Sequence, residues 1–262
     1  MHLVILGATG RTGAYGYKYA LEQGKLIQNS SNHPARTPQP TTTQLGKHKL
    51  IRHTGHHVTA LVRKATGLQP HKNLTIVEGS VQSAADVDRA FTASSLAVDA
   101  AVLFLNAPRT SDNPWAKFIG PPRLIADAAA NAARALRRQK ASSSGQKPRL
   151  VVMCAIGVGE SRAVAPLITR LLIDYTNVGK TYEDHEKVDA EIEENCGADV
   201  DWTVALPVAL KDAGDKPVKT FASTQSGAGL FISRESCAKW MVRVAAGEQG
   251  AQFSNRRVII SN

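Results

Sequence analysis

Cysteine is scarce in this sequence, and long apolar runs are missing. The 262 residues include three cysteines, Cys154, Cys196 and Cys237, which are odd in number and far apart. This pattern argues against a disulfide framework or a zinc site and is typical of a reducing cytosol. No apolar run approaches the roughly 20 residues that cross a bilayer, and Gly7 ends the first apolar segment too early for a signal peptide. We therefore expect a cytoplasmic protein without a membrane partner.

Acidic residues are scarce in one part of the chain only. Residues 1–80 hold ten Lys and Arg against two acids, Glu22 and Glu78, whereas residues 81–262 hold 22 basic and 20 acidic residues. The net charge of +10 therefore consists of +8 from the first part and +2 from the second. A basic chain first suggests a nucleic-acid partner, but a charge this unevenly distributed calls for a local explanation.

Short apolar segments alternate with helical patterns along the chain, and 43% of the residues are hydrophobic. Strands are predicted at 3–6, 56–62, 74–78, 98–105, 149–154, 202–206 and 258–260, and helices at 12–23, 86–91, 123–138, 182–194 and 233–246. This alternation predicts an α/β protein with a doubly wound parallel sheet, as a single domain over residues 1–262.

Three segments stand apart from this alternation. Residues 25–54 contain five basic residues, three prolines and no acid, and they are predicted to form a flexible surface insertion. Residues 156–180, which include an apolar stretch, and residues 207–232 are expected on the substrate side of the protein.

The sequence after the first predicted strand is rich in glycine. Gly7, Gly10 and Gly13 are spaced by three residues, and a predicted helix begins with them. In a dinucleotide-binding turn, the first glycine permits the tight turn, the second lets the backbone approach a pyrophosphate and the third lets the helix pack on the strand. Thr9 and Thr12 add hydroxyl groups. A plain structural turn is the alternative, but the strand before and the helix after favour a dinucleotide site.

The end of the second strand indicates which dinucleotide binds. NAD-binding proteins carry an acid there for the ribose 2′-hydroxyl, whereas arginine accommodates the 2′-phosphate of NADP. This sequence has Arg63 and Lys64 at that point. Arg11, in the glycine turn, is expected to approach the same 2′-phosphate. Ordinary surface charges are the alternative interpretation. We expect NADP(H) as the cofactor.

The local basicity now has an explanation without nucleic acid. Residues 25–54 contribute five of the ten net positive charges, and Arg11, Arg63 and Lys64 lie where phosphates are expected. We therefore expect no nucleic-acid partner.

Several motifs together resemble a known family. They are Gly7–Gly13, Val58–Arg63, Val77–Val81, Asp86–Asp88, Leu105–Arg109, Val151–Cys154, Asp201–Pro207 and Ile232–Arg234. Together they resemble the NmrA-like, NAD(P)H-binding branch of atypical short-chain dehydrogenases, and they are similar to the biliverdin-IXβ reductase/flavin reductase group. The resemblance spans most of the chain except residues 25–54.

The resemblance implies further cofactor contacts at the ends of later strands. They are Gly79, Ser80 and Val81 beside the adenine, Leu105, Asn106 and Ala107 beside the middle of the cofactor, Cys154 and Ala155 near the nicotinamide, and Pro207 and Val208 closing over it.

The catalytic pair of short-chain dehydrogenases is missing. Their Tyr-x-x-x-Lys motif would need a lysine four residues after a tyrosine, but Gly179 follows Tyr175 and Glu186 follows Tyr182 at that spacing. The family's helper hydroxyl is also replaced, by Ile156.

The remaining catalytic candidates are Tyr182, His185 and Lys187, which lie close together on one predicted helix. His185 and Tyr182 are three residues apart, so they share a helix face and are candidates for proton donation. The alternatives are a solvated His185 and a surface ion pair of Lys187 with Glu183 or Glu191.

These patterns favour an NADP(H)-dependent oxidoreductase that passes hydride to a small apolar carbonyl, a quinone-like ring or a flavin. If proton delivery is weak, the hydride acceptor is one that needs little acid help, with solvent as the proton source. The alternatives are a non-catalytic, NADP-binding regulator of the NmrA-like type and an isomerase or lyase. We expect a small-molecule substrate and a monomer or homodimer, with no metal.

Overall fold

The computed structural model describes residues 1–23, 55–139 and 145–262. The predicted insertion at 25–54 lies outside the described residues. Within them, no helix is both long enough and apolar enough to cross a membrane.

The protein is built on an eight-stranded sheet in the order β3-β2-β1-β4-β5-β6-β10-β8. Its strands are β1 (His2–Leu6), β2 (His57–Val62), β3 (Leu74–Glu78), β4 (Ala100–Leu103), β5 (Arg149–Met153), β6 (Asp201–Pro207), β8 (Lys219–Ala222) and β10 (Arg256–Ser261). All neighbouring strands pair in parallel except β8, which pairs antiparallel with β10 at the sheet edge. Two short strands, β7 (Ala209–Lys211) and β9 (Phe231–Ser233), form a separate parallel pair.

The described residues form six α-helices. They are α1 (Gly13–Glu22), α2 (Ala84–Thr92), α3 (Leu124–Arg137), α4 (Leu167–Tyr175), α5 (Val178–Cys196) and α6 (Arg234–Ala245), with a 3₁₀ helix at Gly159–Val164. Helix α1 packs on α6, α4 packs on α5, and α3 packs on α2 and α5. The order β3-β2-β1-β4-β5-β6 with two groups of helices confirms the predicted doubly wound α/β fold.

The central strands are buried on both faces, which explains their continuous apolar sequences. All five residues of β1 and all four of β4 are buried. Helix α3 is rich in alanine, and its small side chains allow α5 to lie close against it.

A buried carboxylate fixes the start of α3. Asp184, on α5, is fully buried and accepts hydrogen bonds from the backbone N–H groups of Ile125 (2.8 Å) and Ala126 (3.1 Å). These are first-turn N–H groups, which have no partner within the helix. Burial raises the pKa of Asp184, while the two hydrogen bonds oppose that rise. This contact aligns the segment of α5 that carries the predicted catalytic residues with the start of α3.

The structure corrects several predicted boundaries. The strand predicted at 98–105 is limited to Ala100–Leu103, and the helix predicted at 182–194 runs from Val178 to Cys196. Residues 156–180 contain α4, which was not predicted, because a short apolar run does not distinguish a helix from a strand or wall. Residues 207–232 hold β7, β8 and part of β9, whose three or four residues are too short for a periodic signal.

Candidate cofactor and substrate site

A cavity of about 370 Å³ lies at the carboxyl ends of the central strands. Its lining comes from the glycine turn, from the ends of β2 to β5 and from the segments that follow them: Gly7, Thr9, Gly10, Arg11, Thr12, Leu61, Val62, Arg63, Gly79, Ser80, Val81, Gln82, Phe104, Leu105, Asn106, Pro108, Pro121, Leu124, Met153, Leu210 and Arg234. Ligands of open α/β sheets bind at this edge, where the strand order reverses. Two larger cavities of about 460 Å³ each lie beside β8, and their linings include no glycine turn.

The glycine turn has the geometry that its three glycines predict. Gly7 has a φ of 88°, in the region that favours glycine, and a Cβ there would lie 2.5 Å from the carbonyl oxygen of Phe104. A Cβ on Gly13 would lie 2.1 Å from the carbonyl oxygen of Gly7. Side chains at either position are therefore excluded without movement of the backbone. Gly10 donates its N–H to Gly7, which closes the turn at 3.0 Å.

The glycine turn places the N-terminal end of α1 at the cavity. Thr12 occupies the N-cap position and makes no side-chain hydrogen bond to the helix. Free N–H groups and the helix dipole at such a terminus bind phosphate. This edge of the cavity therefore fits the pyrophosphate of a dinucleotide.

Basic residues lie at both predicted phosphate positions, but they differ in whether they line the cavity and in whether they already form an ion pair. Arg63 is exposed and lines the cavity, whereas Lys64 is exposed and does not line it. Arg11 lines the cavity and donates two hydrogen bonds to Asp112, at 2.8 and 2.9 Å. These bonds lower the pKa of the Asp112 carboxyl. Both partners are largely exposed, so the ion pair is worth at most about 1 kcal/mol.

Glu78 lies near this basic segment, which the sequence pattern did not suggest. Its carboxylate accepts the backbone N–H of Ala65 at 2.6 Å, and this bond holds the loop that carries Arg63 and Lys64. Glu78 does not line the cavity.

Most of the predicted cofactor contacts come together in the cavity, and seven do not line it. Those in the lining are Gly7, Thr9, Gly10, Arg11, Thr12, Arg63, Gly79, Ser80, Val81, Leu105 and Asn106; those outside it are Gly13, Lys64, Ala107, Cys154, Ala155, Pro207 and Val208. Cys154 and Val208 are buried. Their backbone N–H groups donate hydrogen bonds to the carbonyl oxygens of Ala205 and Ile260, respectively. Their proposed contacts with the nicotinamide stay predictions.

Sequence reasoning missed part of the lining. Met153, Pro121, Leu124, Leu210 and Arg234 close the cavity on the side of β5 and β7. The motif Val151–Cys154 pointed to the end of β5, but a motif does not tell which of two adjacent side chains faces the cavity, since successive side chains of a strand point to opposite faces.

Tyr182 does not line the cavity. Its hydroxyl donates a hydrogen bond to the backbone carbonyl of Ile156 at 3.0 Å. Burial raises the pKa of Tyr182 to about 12. A phenol in this state is a weaker acid than usual, and its proton is already bonded.

His185 is buried, so the alternative of a solvated helix residue is wrong. It is 4% exposed, and its ring lies edge-on to that of Tyr182 at 5.9 Å between centroids. Its Nδ1 has no hydrogen-bond partner among the described residues. Burial lowers the pKa of His185 to about 4, so the ring is neutral near pH 7.

Lys187 is half-buried on the same helix. Among the described residues it forms no ion pair with Glu183 or Glu191, and Glu191 pairs with Arg123. Tyr182, His185 and Lys187 all stand outside the cavity lining, and their catalytic roles stay predictions.

The cavity lining has little acid–base capacity. Among the described residues that form it there is no His, Tyr, Lys, Cys, Asp or Glu. Its polar side chains are arginines, Asn106, Gln82 and the hydroxyls of Thr9, Thr12 and Ser80. The lining therefore offers groups suited to binding and orienting a ligand, and no side chain that titrates near neutral pH.

The buried His185 makes the stability of the fold depend on pH. In the unfolded chain a histidine binds a proton below about pH 6.5, whereas in the fold it does so only below about pH 4. The unfolded state is therefore favoured as the pH falls through this window. We expect His185 alone to reduce the free energy of unfolding by about 2 kcal/mol between pH 7 and pH 5.

Urea unfolding at the two pH values measures this loss. His185→Leu should lose about 2 kcal/mol less than the wild type on acidification, while the variant of an exposed histidine, His71→Leu, should lose as much as the wild type. An equal loss in the wild type and His185→Leu contradicts a neutral, buried His185.

Comparisons with known proteins agree with this geometry. A family model described as NAD(P)H-binding matches residues 41–248. A wide-type short-chain dehydrogenase/reductase from Veillonella parvula DSM 2008, solved in complex with NADP, is 14% identical with a TM-score of 0.66, over 100% of this chain and 94% of that one. An anaerobilin reductase from Escherichia coli O157:H7 is 12% identical with a TM-score of 0.62, over 100% and 97% of the two chains.

An oxidoreductase from Lactococcus lactis is similar to the same degree, with 12% identity and a TM-score of 0.61 over 100% of this chain and 91% of that chain. No curated protein sequence matches the chain. At these identities the structural likeness establishes the fold, and membership of the NmrA-like branch stays a prediction. Since the family model covers more than half of the sequence, the chain belongs to the NAD(P)H-binding family of Rossmann-fold proteins.

Proposed function

We propose that the protein is an NADP(H)-dependent oxidoreductase that passes hydride to a flavin-like or quinone-like ring and takes the accompanying proton from solvent. The observation that carries this proposal is the lining of the cavity, which joins a dinucleotide turn and Arg63 to an apolar side with no titratable acid. The NADP in the Veillonella structure, a protein of the same fold, is consistent with this cofactor.

Different residues of the cavity bind the phosphates of the cofactor and the ring of the hydride acceptor. The glycine turn and the start of α1 fit the pyrophosphate, and Arg63 fits the 2′-phosphate as a charge-assisted donor. The bound cofactor supplies the hydride. Leu105, Leu124 and Met153 form an apolar wall that excludes water and holds a flat acceptor.

The acceptor class follows from the missing acid. Reduction of an isolated carbonyl places negative charge on one oxygen, which a protein acid normally protonates. A flavin or quinone spreads that charge over a conjugated ring, so it needs less help from the protein. Tyr182 and His185 are poor donors in their present settings, because the phenol is bonded to Ile156 and the imidazole is neutral.

A non-catalytic, NADP-binding regulator is the second candidate. The position of Tyr182, His185 and Lys187 outside the cavity lining favours it. An isomerase or lyase is less well supported, since such reactions generally need a base or acid beside the substrate. Turnover separates the first two candidates.

NADPH oxidation should proceed with quinones and flavins, and much more slowly with simple aromatic carbonyls. Tyr182→Phe should keep kcat within about threefold of the wild type, because its proton is not used. Steady-state assays at pH 6, 7 and 8 measure both effects. Tight NADPH binding with no turnover on any acceptor would establish the regulator instead, and a hundredfold loss of kcat in a folded Tyr182→Phe would show that Tyr182 is the proton donor.

Arg63 should determine the preference for the phosphorylated cofactor. Arg63→Gln removes a charge-assisted bond worth about 1.5–3 kcal/mol, so the Kd for NADPH should rise at least about tenfold. The Kd for NADH should stay unchanged, since NADH has no 2′-phosphate. Lys64→Gln is the matched control, with a smaller effect because Lys64 does not line the cavity. Isothermal titration with both cofactors measures these constants, and equal or tighter wild-type binding of NADH contradicts the assignment.

A further inference from the structure

We infer that Arg234 binds an anionic group of the substrate, so that the preferred acceptor is an apolar ring carrying a carboxylate or phosphate. The inference rests on the proposed function and narrows its substrate class. Arg234 is the first residue of α6, lines the cavity and has a side chain that is 11% exposed.

The guanidinium of Arg234 has spare hydrogen-bonding capacity. Its Nη1 donates to Oδ1 of Asp212 at 2.9 Å, and this is its one side-chain hydrogen bond within the described residues. A guanidinium carries five N–H donors and always bears its charge. Such a group is costly to withdraw from water unless an anion completes its bonding. An incoming carboxylate or phosphate does this, often with two parallel bonds.

The present partner of Arg234 is held weakly. The side chain of Asp212 is 70% exposed, and exposed ion pairs contribute at most about 1 kcal/mol. Asp212 therefore keeps Arg234 oriented when no ligand is bound and yields to a better-placed anion.

Arg234 and Arg63 reach the cavity from different parts of the fold. Arg234 directly follows β9, which pairs with β7, and β7 comes shortly after β6. Arg63 directly follows β2, which β1, β4 and β5 separate from β6 in the strand order. Three strand spacings of about 4.8 Å separate β2 from β5. Arg234 also acts electrostatically on Asp112, the partner of Arg11 at the glycine turn.

The surroundings of Arg234 fit the rest of the ligand. The apolar side chains of Leu210, Met153, Pro121 and Leu124 line the same cavity. A guanidinium beside apolar side chains favours a flat apolar body with an anionic group, since a neutral ring leaves its remaining N–H donors unpaired.

Two flavins test the inference because they share one ring system. FMN carries a phosphate that riboflavin lacks. We measure the Kd of each by quenching of flavin fluorescence in protein saturated with NADP⁺, and kcat/KM of each with NADPH. The wild type should bind FMN at least about tenfold more tightly than riboflavin. Arg234→Gln should remove this preference by raising the Kd and KM for FMN, with the riboflavin values and the Kd for NADP⁺ unchanged.

Two control variants separate charge from folding. Arg234→Lys should keep part of the FMN preference, because it keeps the charge and loses the planar donors. Asp212→Asn should keep all of it or increase it, because it releases Arg234 from its competing partner. Retained NADP⁺ binding shows that each variant is folded.

The outcomes are separable. Equal wild-type affinity for the two flavins, or no binding of FMN, overturns the inference. A rise in the Kd for NADP⁺ in Arg234→Gln with an unchanged flavin ratio also overturns it, since Arg234 then serves the cofactor. An FMN preference that depends on Arg234 without NADPH turnover supports the anion site and refutes the proposed oxidoreductase.

Discussion

The close approach of α1 to the ends of β1 and β4 is the constraint on which the site depends. It is possible because side chains are missing at three points: a Cβ on Gly7 or Gly16 would lie 2.5 Å from Phe104, and one on Gly13 would lie 2.1 Å from Gly7. This approach brings the uncapped start of α1 to the cavity edge. With any bulkier residue there, the helix would move away and the positive end of its dipole would no longer face the cavity.

The chemistry of the site follows from how charge is distributed around it. Arginines line the cavity, whereas two of the predicted catalytic residues of α5 stand outside the lining: His185 is buried and Tyr182 is bonded to Ile156. The cavity lining therefore fits the binding of anions better than the transfer of protons. Burial also shifts the pKa of two neighbouring residues on α5: it raises that of Asp184 and lowers that of His185. The Asp184 carboxylate accepts a hydrogen bond from the start of α3, so it fixes that helix.

Features that depend on residues close together in the sequence could be predicted from it. The apolar runs of β1 and β4, the glycine turn and the helix that begins near Ser233 could each be predicted, because each depends on neighbours in the chain. The role of Arg234 could not, since it depends on the packing of β9 beside β7 and on a cavity formed by distant segments. The burial of His185 could not be predicted for a similar reason: the acidic helix around it favours exposure, but contact with the rest of the fold buries one face of α5.

A crystal structure with NADP⁺ tests the central claim most directly, namely that this cavity is the dinucleotide site. The account predicts the pyrophosphate against the N–H groups of the glycine turn, the 2′-phosphate within hydrogen-bond distance of Arg63, and the nicotinamide on the side of Met153. Electron density for the cofactor in another cavity, or with its 2′-phosphate away from Arg63, would contradict it.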